Sequence, residues 1–319
     1  MDSTAAEKLI RAYVRETPLT ESRGLGDGTH ARVFLKLENL QETGSFKLRG
    51  AAAKLLSLPL ERAARGIVVA STGNHAIATS TIGRSLQIPV DIYVSEQLHA
   101  GKRSKIESLG ARVHPVPGDA LLAEITAHRE ADVSGRPYVS PYNDADVVAG
   151  QGTVAVEIVR QLANLGMRQL DAIFVAVGGG GLIGGIGLHL RGVSAATEIV
   201  GCWPENSPAL HECMRAGRFL DEFTDLPTYS SSTAGGIEPG AITLDIVRRV
   251  IDRSILVTEA EILAATRRYF REEGQVIEGA AGVAVAAFLK AAGDYAGKTV
   301  AIVICGGNVD PDFDDLVKA

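Results

Sequence analysis

Short apolar runs alternate with longer helix-like stretches along almost the whole chain. The runs ARVFLKLE (31–38), GIVVAS (66–71), VDIYVS (90–95), ARVHPV (111–116), AIFVAV (172–177), EIVGCW (198–203) and TVAIVIC (299–305) read as strands. Several are apolar on both faces, the pattern of parallel strands covered on both sides. Between them KLRGAAAKLLSL, NHAIATSTIGRSL, GKRSKIESLG, GQGTVAVEIVRQLANLG, EAEILAATRRYFREEG and AAGVAVAAFLKAAG carry helical patterns. This alternation predicts an α/β protein with helices packed on both faces of a mainly parallel sheet. The first eighteen residues read as an amphipathic helix stopped by Pro18, without the apolar core of a signal peptide. Segment 204–245, rich in turn formers, reads as an irregular excursion.

Composition narrows the function. With 319 residues, 46% of them hydrophobic and 22% charged, the chain can build a large core in one domain or two lobes. A net charge of −6 with both signs interspersed offers neither a basic stripe for nucleic acid nor a polybasic tail for a membrane. The uncharged run AIFVAVGGGGLIGGIGLHL is too glycine-rich for a lipid-facing helix. Cys202, Cys213 and Cys305 lack C-x-x-C spacing and are odd in number, which points to a reducing compartment, the cytoplasm by default.

In an α/β protein ligands bind at the carboxyl ends of the strands, so the strand-to-helix loops are where chemistry is expected. VGGGGLIGG (177–185) follows an apolar strand and opens a helix: four glycines let the backbone approach an anion, and the helix dipole favours it. Gly179, Gly181 and Gly184 also satisfy G-x-G-x-x-G, with Glu205 about twenty residues on, the spacing of a dinucleotide fingerprint. That weak match supports a nicotinamide oxidoreductase only remotely, and leaves ETGSFKLRGA (42–51) unexplained. ASTGNHAIA (70–78) places the hydroxyls of Ser71 and Thr72, the backbone of Gly73 and the amide of Asn74 at a helix start, suited to a carboxylate or phenolic oxygen or simply to capping. His75 reads as a packed histidine without an acid–base role. CGGNVD (305–310) ends the final strand, with Cys305 by itself an apolar buried residue. A phosphate cradle together with an amine at Lys47 matches the needs of pyridoxal phosphate, held as a Schiff base on a lysine.

Nearly end to end, the chain resembles the second structural class of pyridoxal phosphate enzymes, the tryptophan synthase β-like fold, and in particular threonine/serine dehydratases and serine racemases. Pro18 and Leu19, LKLEN before TGSFKLRGA, ASTGNHA, AGQGT (149–153), VGGGGL, EGAAG (278–282) and CGGN carry the resemblance in order. It implies a cofactor-binding domain formed by 1–56 and 144–319, and a smaller domain, 57–143, that closes on it. Lys47 is then the covalent holder of pyridoxal 5′-phosphate, with Phe46 packed beside its ring and Asn74 on the ring hydroxyl. Gly178, Gly179, Gly180, Gly181 and Leu182 hold the phosphate, Cys305 faces the pyridine nitrogen, and the loop Ser71, Thr72, Gly73, Asn74, His75 receives the substrate carboxylate. A neutral thiol does not keep the pyridine nitrogen protonated, which favours prompt loss of a β-substituent.

The expected reaction is β-elimination from a small amino acid such as L-threonine or L-serine, giving a 2-oxo acid and ammonia, with Lys47 as the base. Alternatives are dehydration of 3-hydroxyaspartate, phenylserine or a hydroxyectoine-derived amino acid, and racemisation. Thr72 is the second candidate catalytic residue and bears on the last: serine racemases carry a serine there that protonates the opposite face of the α-carbon, many threonine dehydratases an alanine, and threonine keeps the hydroxyl. Where racemase-like relatives place an acidic metal ligand this chain has Trp203, so no metal is expected. Fourteen residues after Cys305 leave no room for a regulatory domain, so a catabolic enzyme without amino-acid feedback is expected. The family implies a homodimer.

Overall fold

The computed structural model describes residues 1–96, 98, 100–118, 120–167, 169–220 and 223–319. Its strands are β1 (Leu19–Glu21), β2 (Arg32–Leu37), β3 (Ile67–Ala70), β4 (Val90–Ser95), β5 (Arg112–Val116), β6 (Ala172–Ala176), β7 (Glu198–Pro204), β8 (Arg253–Val257) and β9 (Thr299–Ile304). Its helices are α1 (Ser3–Ile10), α2 (Lys47–Ser57), α3 (Leu60–Ala64), α4 (Asn74–Leu86), α5 (Ala100–Ser108), α6 (Ala120–Ser134), α7 (Ala145–Asn164), α8 (Gly181–Val193), α9 (Ala209–Ala216), α10 (Ile242–Val250), α11 (Glu259–Glu273), α12 (Gly279–Ala291) and α13 (Pro311–Lys318).

The strands form two sheets. One has six strands in the order β1-β2-β9-β6-β7-β8, and the other has three in the order β3-β4-β5. Only the edge strand β1 is antiparallel among these pairings, with Leu19 opposite Lys36. β9 lies between β2 and β6, pairing Leu37 with Ile304 and Ala172 with Val300. All five residues of β6 are buried, and so are the last five of β2, so both faces of this sheet are covered, as the apolar runs predict. The three-stranded sheet has its own apolar cluster around Ile67, Val69, Ile92 and Val94.

Three boundaries differ from the sequence reading. Helix α1 ends at Ile10, well before Pro18, and residues 11–18 run without regular structure into β1. Helix α7 starts at Ala145, five residues before Gly150, because the Asp144 side chain caps it by accepting from the N–H groups of Asp146 and Val147. Gly150 and Gly152 instead mark close helix approach: a Cβ on Gly150 would lie 2.6 Å from the Arg49 carbonyl oxygen, and one on Gly152 2.6 Å from that of Gly185. The excursion after β7 contains the short helix α9, and positions 221 and 222 within it lie outside the described residues.

Beneath α2 lies a buried ionic cluster. Arg49 donates to both oxygens of Glu38 (2.8 Å each) and to both of Glu157 (2.8 and 2.7 Å). Lys36 donates to Glu157 at 2.6 Å and to the Thr17 carbonyl at 2.7 Å, and Arg11 reaches Glu157 at 2.6 Å. The side chains of Lys36, Glu38, Arg49 and Glu157 are wholly inaccessible. The cluster thus ties β2, α2, α7 and the N-terminal segment together two residues from Lys47.

Candidate active site

The loops singled out in the sequence meet at the carboxyl ends of β2, β3, β6 and β9. Ser45 bridges to Gly306, and the Phe46 N–H donates to the Cys305 carbonyl at 3.0 Å, so the end of β9 sets the start of α2. Lys47, the first residue of α2, turns its amine to the Pro141 carbonyl at 3.0 Å. The same amine lies 5.1 Å from the centre of the Phe46 ring. Burial brings the amine down to about 8, against the opposing pull of Cys305 and Glu278. An amine held there is partly neutral near physiological pH, the state a base or a Schiff-base former needs.

The glycine loop is a made cradle. Gly180 has φ +82° as the N-cap of α8, a conformation that favours glycine. A Cβ on Gly179 would lie 2.3 Å from atoms of the Tyr142 ring, and one on Gly178 would lie 2.9 Å from the Thr233 Cα. Among the described residues no group accepts from the N–H of Gly178, Gly179 or Gly180. With Gly181 and Leu182 opening α8, these donors fit a phosphate. Tyr142 connects cradle to amine: its ring packs on Gly179, its backbone adjoins Gly181, and its neighbour Pro141 accepts from Lys47.

Asn74, the first residue of α4, is drawn into the same place. Its Nδ2 donates to Glu278 at 2.9 and 3.3 Å, and its Oδ1 accepts from Asn308 at 2.7 Å. The Cys305 thiol donates to Glu278 at 3.7 Å; burial, followed by Glu278, pushes it well above its ordinary range and keeps it neutral. The rest of the α4 loop is divided. Ser71 accepts from the Gly73 N–H, while Thr72 and Gly73 are exposed. His75 points away, its Nε2 at 2.8 Å from the Val139 carbonyl; burial and the Lys47 charge lower it to about 3, so it is neutral.

Glu278, Tyr142 and Asn308 are absent from the sequence-derived site. Glu278 is 5% exposed and opens the Ala/Gly helix α12; burial raises its carboxyl above the ordinary range despite hydrogen bonds from Asn74 and Cys305. An acid beginning so apolar a helix was a usable signal. Tyr142 carried none, because its part follows from packing.

Trp203 is buried in β7, its ring above Gly201, and among the described residues its indole nitrogen has no hydrogen-bond partner. Among the described residues, a group that could hold a cation lies elsewhere. One ligand atom from each of Glu124, His128 and Glu238 falls within 4.8 Å of the others.

A buried amine of lowered basicity beside a glycine loop with free N–H donors, at the carboxyl ends of parallel strands, is the arrangement of a cofactor-dependent α/β enzyme. The family described as pyridoxal-phosphate dependent enzyme matches residues 10–306, and the chain belongs to it. It is 35% identical to the L-threonine ammonia-lyase of Thermotoga maritima over 99% of this chain and 77% of that one. Among solved structures, the T.th. threonine deaminase matches with a TM-score of 0.89 at 31% identity, covering 97% of this chain and 98% of that one. The serine racemase of Dictyostelium discoideum matches with a TM-score of 0.87 at 29% identity, covering 97% and 98%. The fold is that of the second structural class of pyridoxal phosphate enzymes, the cofactor is pyridoxal 5′-phosphate, and the enzyme is an ammonia-lyase. The nicotinamide reading falls with it. Among the described residues no helix is long and apolar enough to cross a membrane.

Proposed function

We propose that this enzyme dehydrates and deaminates a small β-hydroxy amino acid, L-threonine or L-serine, to a 2-oxo acid and ammonia. The Lys47 amine, lowered to about 8 and set between the cradle and Cys305, carries this reading. Bound through Lys47, the cofactor supplies an electron sink for charge at the substrate α-carbon. Lys47, its amine lowered to about 8, would then be the base placed to take the α-proton. The backbone and hydroxyls of the loop Ser71, Thr72, Gly73, Asn74 and His75 hold the substrate carboxylate at a helix N-terminus. Gly178 through Leu182 hold the cofactor phosphate, Phe46 flanks the ring, Asn74 meets the ring hydroxyl, and the neutral Cys305 thiol meets the ring nitrogen. Residues 57–143, which carry the three-stranded sheet, close over the site, and the enzyme works as a cytoplasmic homodimer.

The test is the absorption spectrum of the purified holoenzyme during addition of L-threonine, L-serine, their D-forms and L-threo-3-hydroxyaspartate, with 2-oxo acid assayed for each. A near-visible band that shifts with ketoacid release on threonine or serine supports the proposal. An unchanged Lys47→Ala variant refutes it.

One observation favours a second substrate class. Glu238 accepts from Ser140 at 3.4 Å and its N–H donates to Tyr142, so its carboxylate borders the segment that receives the Lys47 amine. With Glu124 beside it, this wall suits a substrate with a positive charge at its far end, such as a hydroxyectoine-derived amino acid, and opposes the second carboxylate of 3-hydroxyaspartate. Higher kcat/KM for a β-hydroxy diamino acid than for threonine, reversed in Glu238→Gln, distinguishes the two readings.

A further inference from the structure

The amide of Asn74 can face the cofactor with either its oxygen or its nitrogen, and ordinary rotamer preference does not choose between them. The surroundings do. The Thr43 carbonyl can only accept, so the Asn308 atom 2.8 Å from it is the donor Nδ2. That nitrogen has a second hydrogen, and it lies 2.7 Å from the side-chain amide of Asn74. The Asn74 atom it meets is therefore the oxygen, and the Asn74 nitrogen must lie on the side of Glu278, where it donates at 2.9 and 3.3 Å. One hydrogen of that nitrogen is used by Glu278 and the other remains available.

Asn308 is itself seated by construction. Gly44 has φ +74°, which favours glycine, and a Cβ there would lie 2.9–3.1 Å from the Asn308 amide and push it aside. The Gly307 N–H donates to the Gly44 carbonyl at 2.9 Å, closing the same turn. Lys105 on α5 donates to the Asn308 oxygen at 3.3 Å, which holds that amide from its other end. The glycine before the SFK stretch and the asparagine after the final glycine pair thus form one device.

We infer that Asn308 is a positioning residue that holds the Asn74 amide with its N–H turned toward the cofactor, so that Asn74 donates to the ring oxygen and keeps that oxygen unprotonated. The inference rests on the assignment of Asn74 to the cofactor ring. Asn308→Asp reverses the polarity of the seat without changing its shape: an aspartate repels the Thr43 carbonyl and the Asn74 oxygen, and turns the Asn74 nitrogen toward itself.

The experiment compares holoenzyme spectra without substrate, together with the dissociation constant for pyridoxal phosphate, for wild type, Asn308→Asp, Asn74→Ala and the double variant. In Asn308→Asp the near-visible band loses intensity to a near-ultraviolet band as the ring oxygen regains its proton. Cofactor binding weakens about tenfold, the size of one hydrogen bond to a charged oxygen. In the Asn74→Ala background the same substitution changes neither readout, because no amide remains to be turned. A wild-type spectrum and affinity in Asn308→Asp overturn the inference, as does an equal shift in the Asn74→Ala background. Should Asn74→Ala itself leave both readouts unchanged, the assignment of Asn74 to the cofactor fails instead. If the aspartate variant does not fold, Asn308→Leu, which lacks any donor, gives a smaller shift in the same direction; no shift there is equally fatal.

Discussion

Removing the Glu157 charge tests whether the cluster beneath α2 supports the site or merely lies near it. In Glu157→Gln, Lys36, Arg49 and Arg11 lose a shared carboxylate whose side chain is wholly inaccessible. Burial pushes this carboxyl up, but the Arg49 and Lys36 charges more than reverse that and hold it at about 2, against 4.5 for a free one. The difference corresponds to about 3 kcal/mol of stability at neutral pH. Breaking a buried pair by removing one partner costs about 3–5 kcal/mol, which agrees. For a chain of this size the unfolding midpoint should fall by roughly 4–8 °C. Because the folded-state value lies below the unfolded one, the contribution is complete above pH 4.5 and vanishes as pH falls toward 2. Urea unfolding followed by circular dichroism at pH 7 and at pH 3 measures both effects: a loss of about 3 kcal/mol at pH 7, shrinking at pH 3. Adding Lys36→Met should restore part of the loss, since it removes the charge left unpaired. A loss below about 1 kcal/mol at pH 7 would refute the reasoning.

Two further outcomes concern the site. Cofactor-free protein should take up pyridoxal phosphate faster as pH rises, with a midpoint near 8, because only the neutral Lys47 amine attacks the aldehyde and its value lies below the ordinary 10.5; stopped-flow absorbance checks this, and a midpoint above about 10 contradicts it. Gly179→Ala should weaken cofactor binding at least about tenfold, since its methyl would lie 2.3 Å from Tyr142 ring atoms and displace the ring that borders the cradle; fluorescence titration of the cofactor-free variant measures it.

Much of the sheet was legible because its strands are covered on both faces, and AIFVA or TVAIVI then admit few other readings. β1 and β8 were not read as strands. Three residues long, β1 has too little pattern, and RSILV in β8 runs into the capping box of α11 without a turn residue between them. Glycines misled at α7, where a residue type that usually opens or ends a helix serves close contact with Arg49 and Gly185. The sequence singled out the glycines after β6, Lys47 and Cys305 by residue type and loop position, and the structure brings them into one crevice. Residues that act by bringing others into place could not be read, since the partners of Tyr142 and Asn308 are distant in sequence.

The place of β9 in the sheet bears on how the chain comes to be folded at all. It is the last of the six strands to leave the ribosome, yet it lies between β2 and β6. Until residues 299–304 emerge, those two strands lack their common neighbour, and apolar edges made long before stay open. Pairings between residues more than 250 positions apart, such as Leu37 with Ile304, then have to form late. Slow acquisition of the native state and dependence on folding helpers at high expression follow from so non-local a centre. The Cys305 end of the crevice therefore takes shape only after β2 and β6, its neighbours in the sheet, have both been synthesised.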